Sequence, residues 1–287
     1  MFRDSYFSFA SLLATLALAL TGAAYGQSTA SIEKQTAPSK PTGQLIRLAD
    51  FGSDDLAYLA VPNTPPTLGI VLVPDAYGMD DFTKSEAERL AAAGYLVLAL
   101  DIYNGHLTTD PGDLANLTAN LNAAIVMKIL DSGIRFFHES PRFHVDHVVL
   151  MGWGTGATYV FQAARENKTF DGAITFYGPL ETVPERIGKF YVPLCAVYPD
   201  NDPVATHESV ETFQRLMKDA GNDFEAWFIA AGRGWSSPQS KTYNHTEDKE
   251  AWKVATPFLV RIGAEPVREK KDSIIDKAGD SIKNIFK

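Results

Sequence analysis

The sequence predicts an α/β chain in which a mostly parallel central sheet carries helices on both faces. Three observations predict it. Short, nearly uncharged runs rich in Val, Ile, Leu and aromatic residues alternate with segments whose apolar residues recur at helical spacing. Two such β-type runs come before the first helical segment, which places an antiparallel hairpin at one edge of the sheet. Hydrophobic residues are 45 % and charged residues 21 % of 287, enough to build a sizeable core.

The expected strands are Leu45–Leu48, Leu56–Val61, Gly69–Val73, Tyr95–Leu100, Val148–Met151, Ala173–Phe176, Leu194–Tyr198 and Ala226–Ile229. Most lack charge, as strands buried on both faces do. Helical spacing marks Asp81–Ala93, the long segment Gly112–His138, then Ala157–Glu166, Thr206–Ala220 and Glu247–Ile262. These elements make one domain over residues 44–263.

Ahead of it, Phe9–Gly22 is apolar and uncharged, and Ala23-Ala24-Tyr25-Gly26 leads into polar Gln27. The run is shorter than the roughly 18–20 residues that span a bilayer, so residues 1–26 read as a secretory signal peptide, with a retained anchor as the alternative. An exported protein, periplasmic or extracellular, follows from that reading. Residues 27–43, rich in Ser, Thr, Lys, Pro and Gly, read as a flexible linker. Residues 264–287 form an amphipathic tail whose Lys and Arg are interleaved with Asp272, Asp276 and Asp280. A helix packed on the domain or loosely solvated accounts for it better than a membrane-surface helix. Membrane contact is expected only through these two ends.

A formal net charge of −9 argues against nucleic-acid partners, which need a basic footprint. With Cys195 alone, no intramolecular disulfide and no Cys-based metal cluster can form. The six histidines show no metal-ligand spacing. No metal and no cofactor is expected.

The stretch from Val148 to Ala157 carries most information: a strand runs into Gly152-Trp153-Gly154-Thr155-Gly156 and on into a helix. Gly-x-nucleophile-x-Gly is the elbow of α/β-hydrolases, where small residues two before and two after the centre let the turn close. Gly152 and Gly156 meet that need around Gly154. Centring the turn on Thr155 would put Trp153 where a small residue is required. A dinucleotide loop also follows a strand with this glycine spacing, but this one lies past the middle of the sheet, and the acidic residue expected about twenty positions on falls at Asp171, which a surface turn explains as well.

Three blocks over most of residues 44–262 resemble the dienelactone hydrolase family. They are Gly69-Ile-Val-Leu-Val-Pro-Asp-Ala-Tyr-Gly-Met with Ala91-Ala-Ala-Gly-Tyr-Leu-Val-Leu-Ala-Leu-Asp-Ile-Tyr; the elbow; and Phe176-Tyr-Gly through Asp200-Asn-Asp-Pro-Val to Ala231-Gly-Arg-Gly-Trp. The resemblance implies an α/β-hydrolase fold and hydrolysis of esters or lactones. It puts the nucleophile position on Gly154, the acid on Asp202 (Asp200 as the alternative) and the histidine on Arg233. Asp75 matches a glutamate that partners the family's resting cysteine. Pro74, Leu100 and Ala157 depart from the pattern.

Acyl transfer needs a nucleophilic atom and a base to take its proton. Gly154 offers no such atom, and guanidinium stays protonated at physiological pH. Losing either member costs about 10⁶ in turnover, and losing both costs little more. Backbone N–H groups near Thr155 and Asp75–Ala76 remain as an oxyanion hole. Arg233 is expected to pair with Asp202, or to face the cleft and take an anion. The cleft itself is expected at Asp75, Ala76, Tyr77, Trp153 and Thr155, with Ser236 and Ser237 beside it. His138, His144 and His147 precede the elbow strand, at the far end of the sheet; His106, His207 and His245 are not placed to act as the base. Three readings remain: an inactive homologue that binds a small molecule or a partner, an active hydrolase with a rearranged site, and a closed scaffold.

Overall fold

A computed structural model describes residues 43–66 and 68–264. The expected signal peptide, all but the last residue of the linker and the tail beyond Ala264 lie outside the described residues.

Eight strands form one sheet in the order β1-β2-β4-β3-β5-β6-β7-β8. β1 (Gln44–Arg47) and β2 (Leu56–Ala60) make the expected antiparallel hairpin, and β2 also runs antiparallel to β4 (Leu96–Leu100). From there the pairing is parallel through β3 (Gly69–Val73), β5 (Val148–Trp153), β6 (Gly172–Phe176), β7 (Leu194–Asn201) and β8 (Phe224–Gly232). Every residue of β3, β4, β5 and β6 is buried, which explains their uninterrupted apolar sequence.

The helices divide between two cores. On one face, α3 (Ala123–Glu139), α4 (Gly154–Glu166) and α6 (His207–Asp219) cover Val71, Leu98, Leu150 and Leu194. On the other, α1 (Asp81–Ala92) and α7 (His245–Gly263) cover Ile70, Val97, Val149 and Cys195. The period-2 alternation along each strand thus feeds both layers.

The long helix expected over Gly112–His138 is two. α2 (Pro111–Ala119) starts on Asp110, whose carboxylate accepts from Gly112 N and Asp113 N, with Pro111 in the first turn. It ends where the Asn120 amide donates to Asn116 O. Asn122 then caps α3 by accepting from Ala124 N and Ile125 N. Asn supplies its own acceptor at helix starts, so two of them around Leu121 break the run. A further short helix, α5 (Pro184–Ile187), makes a single turn between β6 and β7 that apolar spacing does not announce. β7 and β8 run further than expected, with a register shift between Pro199 and Asn201. That irregularity falls just before Asp202.

Candidate active site

β5 ends at Trp153 and α4 begins at Gly154, so the elbow turns within one peptide unit. A Cβ on Gly152 would lie 2.7 Å from Gly156 C, and one on Gly156 would lie 2.7 Å from Val73 C and overlap the Val73 and Pro74 carbonyl oxygens. Contacts that short do not occur, so both positions must be glycine. Gly154 has φ +46, the left-handed region that strains an L side chain.

The centre of the turn is not empty. A Cβ on Gly154 would meet the carboxylate of Asp75, 2.6 Å from Cγ and 2.6 Å from Oδ2. The side chain following β3 therefore occupies the volume in which the elbow residue would project its own. Asp75 Oδ1 accepts hydrogen bonds from Ala76 N at 2.7 Å and from Thr155 N at 3.0 Å. These are the donors expected to form the oxyanion hole. Thr155 N lies at the N-terminus of a thirteen-residue helix, where the peptide dipoles favour an anion, and Ala76 N lies in the loop after β3.

Burial pushes the Asp75 carboxyl above its usual range; the Thr155 and Ala76 N–H groups, the Arg233 charge and the Tyr177 hydroxyl oppose this. Tyr177 follows β6, has φ +42, and is 1 % exposed. Its hydroxyl lies 3.2 Å from Ser236 Oγ. Burial, then the negative charge of Asp75, push that phenol well above its ordinary value. Tyr103, which follows β4, is pushed up to about 12 by burial; the Thr118 and Thr155 hydroxyls act against that shift and the Asp75 charge adds to it.

Asp202 sits directly after β7 with its side chain fully buried. Its Oδ1 accepts from Val204 N at 2.8 Å and Ala205 N at 3.2 Å, and its Oδ2 accepts from Arg233 Nη1 at 2.8 Å. The expected Arg233–Asp202 pair is thus present. The Arg233 side chain is 40 % exposed, and its Cζ lies 5.7 Å from the Tyr177 ring centroid. Asp200, the alternative acid, instead accepts from His207 Nε2 at 2.9 Å, with that imidazole stacked on Phe228.

The structure therefore brings Gly154, Asp75, Ala76, Thr155, Tyr177, Arg233 and Asp202 into one contiguous constellation. Tyr77 borders it, half-buried, its phenol raised by burial and then by the charges of Asp75 and Asp80. Trp153 does not line the cleft as expected. It is 2 % exposed and stacks on Phe176 at 5.1 Å, because the residue before the elbow still points into the core as a strand residue. Ser236 and Ser237 are buried, and Ser237 Oγ donates to Gln239. His138 and His147 sit at the other end of β5: His138 Nε2 contacts Thr169 O, and His147 lies beside Asp171, whose carboxylate accepts from Val148 N. Among the described residues no group of His, Cys, Asp and Glu is arranged to hold a metal ion.

Sequence reasoning missed Tyr177 and Tyr103 as part of the site. Each follows a buried strand at the end of the sheet that carries the elbow, and that position is the signal that could have flagged them.

A sequence profile described as the dienelactone hydrolase family matches residues 56–263. A Bradyrhizobium protein named "Probable 2-oxo-3-(5-oxofuran-2-ylidene)propanoate lactonase" is 24 % identical over 229 residues, covering 75 % of this chain and 92 % of that protein. Among solved structures, a dienelactone hydrolase-like promiscuous phosphotriesterase from metagenomic libraries aligns with a TM-score of 0.67 at 18 % identity, over 77 % of this chain and 98 % of its own. A thermophilic esterase of Thermogutta terrifontis with propionate bound aligns with a TM-score of 0.58 at 17 % identity, over 79 % and 98 %. At such identities these two structures show the fold. The profile match spans well over half of the sequence, and on it the chain belongs to the dienelactone hydrolase family.

Proposed function

We propose that this protein is an exported, non-hydrolytic member of the family that holds a small molecule at the mouth of the inherited cleft. One observation carries the non-hydrolytic part. The Asp75 carboxylate fills the place of the missing elbow side chain and takes both N–H groups that would stabilise an acyl oxyanion. Loss of the nucleophilic atom, of the imidazole and of the free oxyanion hole removes all three elements of acyl transfer. Asp75, Ala76, Tyr77 and Thr155 stay partly exposed and Arg233 reaches solvent, so a ligand meets both a carboxylate and a guanidinium at the mouth. A second reading, a closed scaffold, is favoured by the engagement of Arg233 with buried Asp202.

An ester and lactone hydrolysis assay tests the proposal. The full chain is compared with Asp75→Glu/Gly154→Cys/Arg233→His, which restores the family's residue at all three positions. Turnover only in the triple variant is the expected result. Turnover by the unaltered chain at a comparable rate refutes the non-hydrolytic reading.

A further inference from the structure

We infer that Asp75 is itself a nucleophile, matched to electrophiles at saturated carbon, such as terminal epoxides, and mismatched to esters. The inference rests on the reading above that its carboxylate stands in for the missing elbow side chain. Asp75 Oδ1 is fixed by Ala76 N and Thr155 N, whereas Oδ2 has no backbone donor; both oxygens lie against the place that a Cβ on Gly154 would take, Oδ1 the nearer, and the residue is partly exposed. Burial holds the carboxyl above its usual range, against the Thr155 and Ala76 N–H groups, the Arg233 charge and the Tyr177 hydroxyl, so the ionised, nucleophilic form gains as pH rises.

The seating of Oδ1 decides which reactions are open. Attack on an ester carbonyl builds an oxyanion that needs the two N–H donors, and Oδ1 already occupies them. Displacement at saturated carbon needs no such donors, because negative charge leaves the attacking carboxylate and collects on the leaving oxygen. With a terminal epoxide, an electron pair on Oδ2 forms a bond to the primary carbon. The ring C–O bond breaks, its electron pair stays on the ring oxygen, and that alkoxide takes a proton from water. The product is a hydroxyalkyl ester of Asp75 whose carbonyl oxygen is Oδ1. Hydrolysing it would need a base to activate water, and Arg233 stays protonated. The reaction therefore stops after one equivalent, and the site acts as a trap.

The test is incubation of the full chain with 1,2-epoxy-3-(4-nitrophenoxy)propane, followed by intact-mass measurement and peptide mapping. The expected result is a single adduct per chain on Asp75, absent from Asp75→Asn. That variant keeps an oxygen acceptor for the two N–H groups and so should leave Tm close to that of the parent. No adduct, an adduct mapped elsewhere, or equal labelling of the folded Asp75→Asn variant overturns the inference. Should that variant fail to fold, mapping on the unaltered chain decides alone. Ester turnover is read separately on the same preparation: if present, it refutes the non-hydrolytic reading, while mapping alone judges the nucleophile.

Discussion

Gly154 and Asp75 compete for one small volume. The backbone at Gly154 disfavours any L side chain, and the carboxylate of Asp75 lies where a Cβ would go. Gly154→Ala should cost about 2–4 kcal/mol, combining left-handed strain with the collision. In Asp75→Ala/Gly154→Ala the collision is gone and the strain stays, so the two changes should be non-additive by about 1–2 kcal/mol. Urea unfolding of the four species measures this, and strict additivity would mean that the contact carries no energy. At this scale the sequence was legible wherever a steric rule applies: the glycines at 152 and 156 follow from the turn alone. The seating of Asp75 was not legible, because its bond to Thr155 N joins residues 80 positions apart and depends on how two loops settle. Trp153 misled for a related reason, since position in the motif does not give side-chain direction.

Among the elements, α1 and α7 are joined by a buried cluster that the hydrophobic pattern could not announce. The Arg89 guanidinium pairs with Glu86 on its own helix, approaches Asp248 of α7 at 3.7 Å and lies 4.0 Å from the Trp252 ring centroid. One cation serves two carboxylates. Burial, then the charge of Glu86, push the Asp248 carboxyl up, with Arg89 opposing. The unfolded chain ionises Asp248 near 3.8, whereas the folded chain does so only at higher pH. Between those values the native state holds the extra proton, so this group's contribution falls as pH rises from about 4 toward neutrality and is flat above. Asp248→Asn should therefore raise Tm at pH 8 by about 2–4 °C and make Tm less dependent on pH over that window. A variant that is less stable at pH 8 and equally pH-dependent would contradict this. Helix limits were less legible than helix existence: the Asn residues at 120 and 122 end one helix and start the next, a local hydrogen-bonding choice that apolar spacing does not register.

Across the whole molecule, the mostly parallel pairing, the edge hairpin and the layering of helices agree with what alternating buried runs imply, because burial on both faces constrains composition at every position; the strand order itself was not legible. The two cores stand on opposite faces of the sheet, and the constellation sits where β3, β5, β6, β7 and β8 end, the usual place for a site in an open parallel sheet. The export reading makes its own prediction at this scale. Expressed from Met1 in a bacterial host, the chain should be recovered outside the cytoplasm with Gln27 as its first residue, as read by intact mass. Recovery of the full-length chain from the cytoplasm would contradict it.

The carboxylate lodged over Gly154 also bears on ancestry. On the non-hydrolytic reading proposed above, an elbow side chain could return by a single codon change, but the space it would enter holds the carboxylate of Asp75. A restored Ser or Cys would arrive in an occupied turn and find its stabilising donors taken, so selection would see a damaged protein before it saw an enzyme. On that reading the way back begins with moving Asp75 aside, a step with no catalytic reward of its own, and the glycine at the elbow would behave as a ratchet.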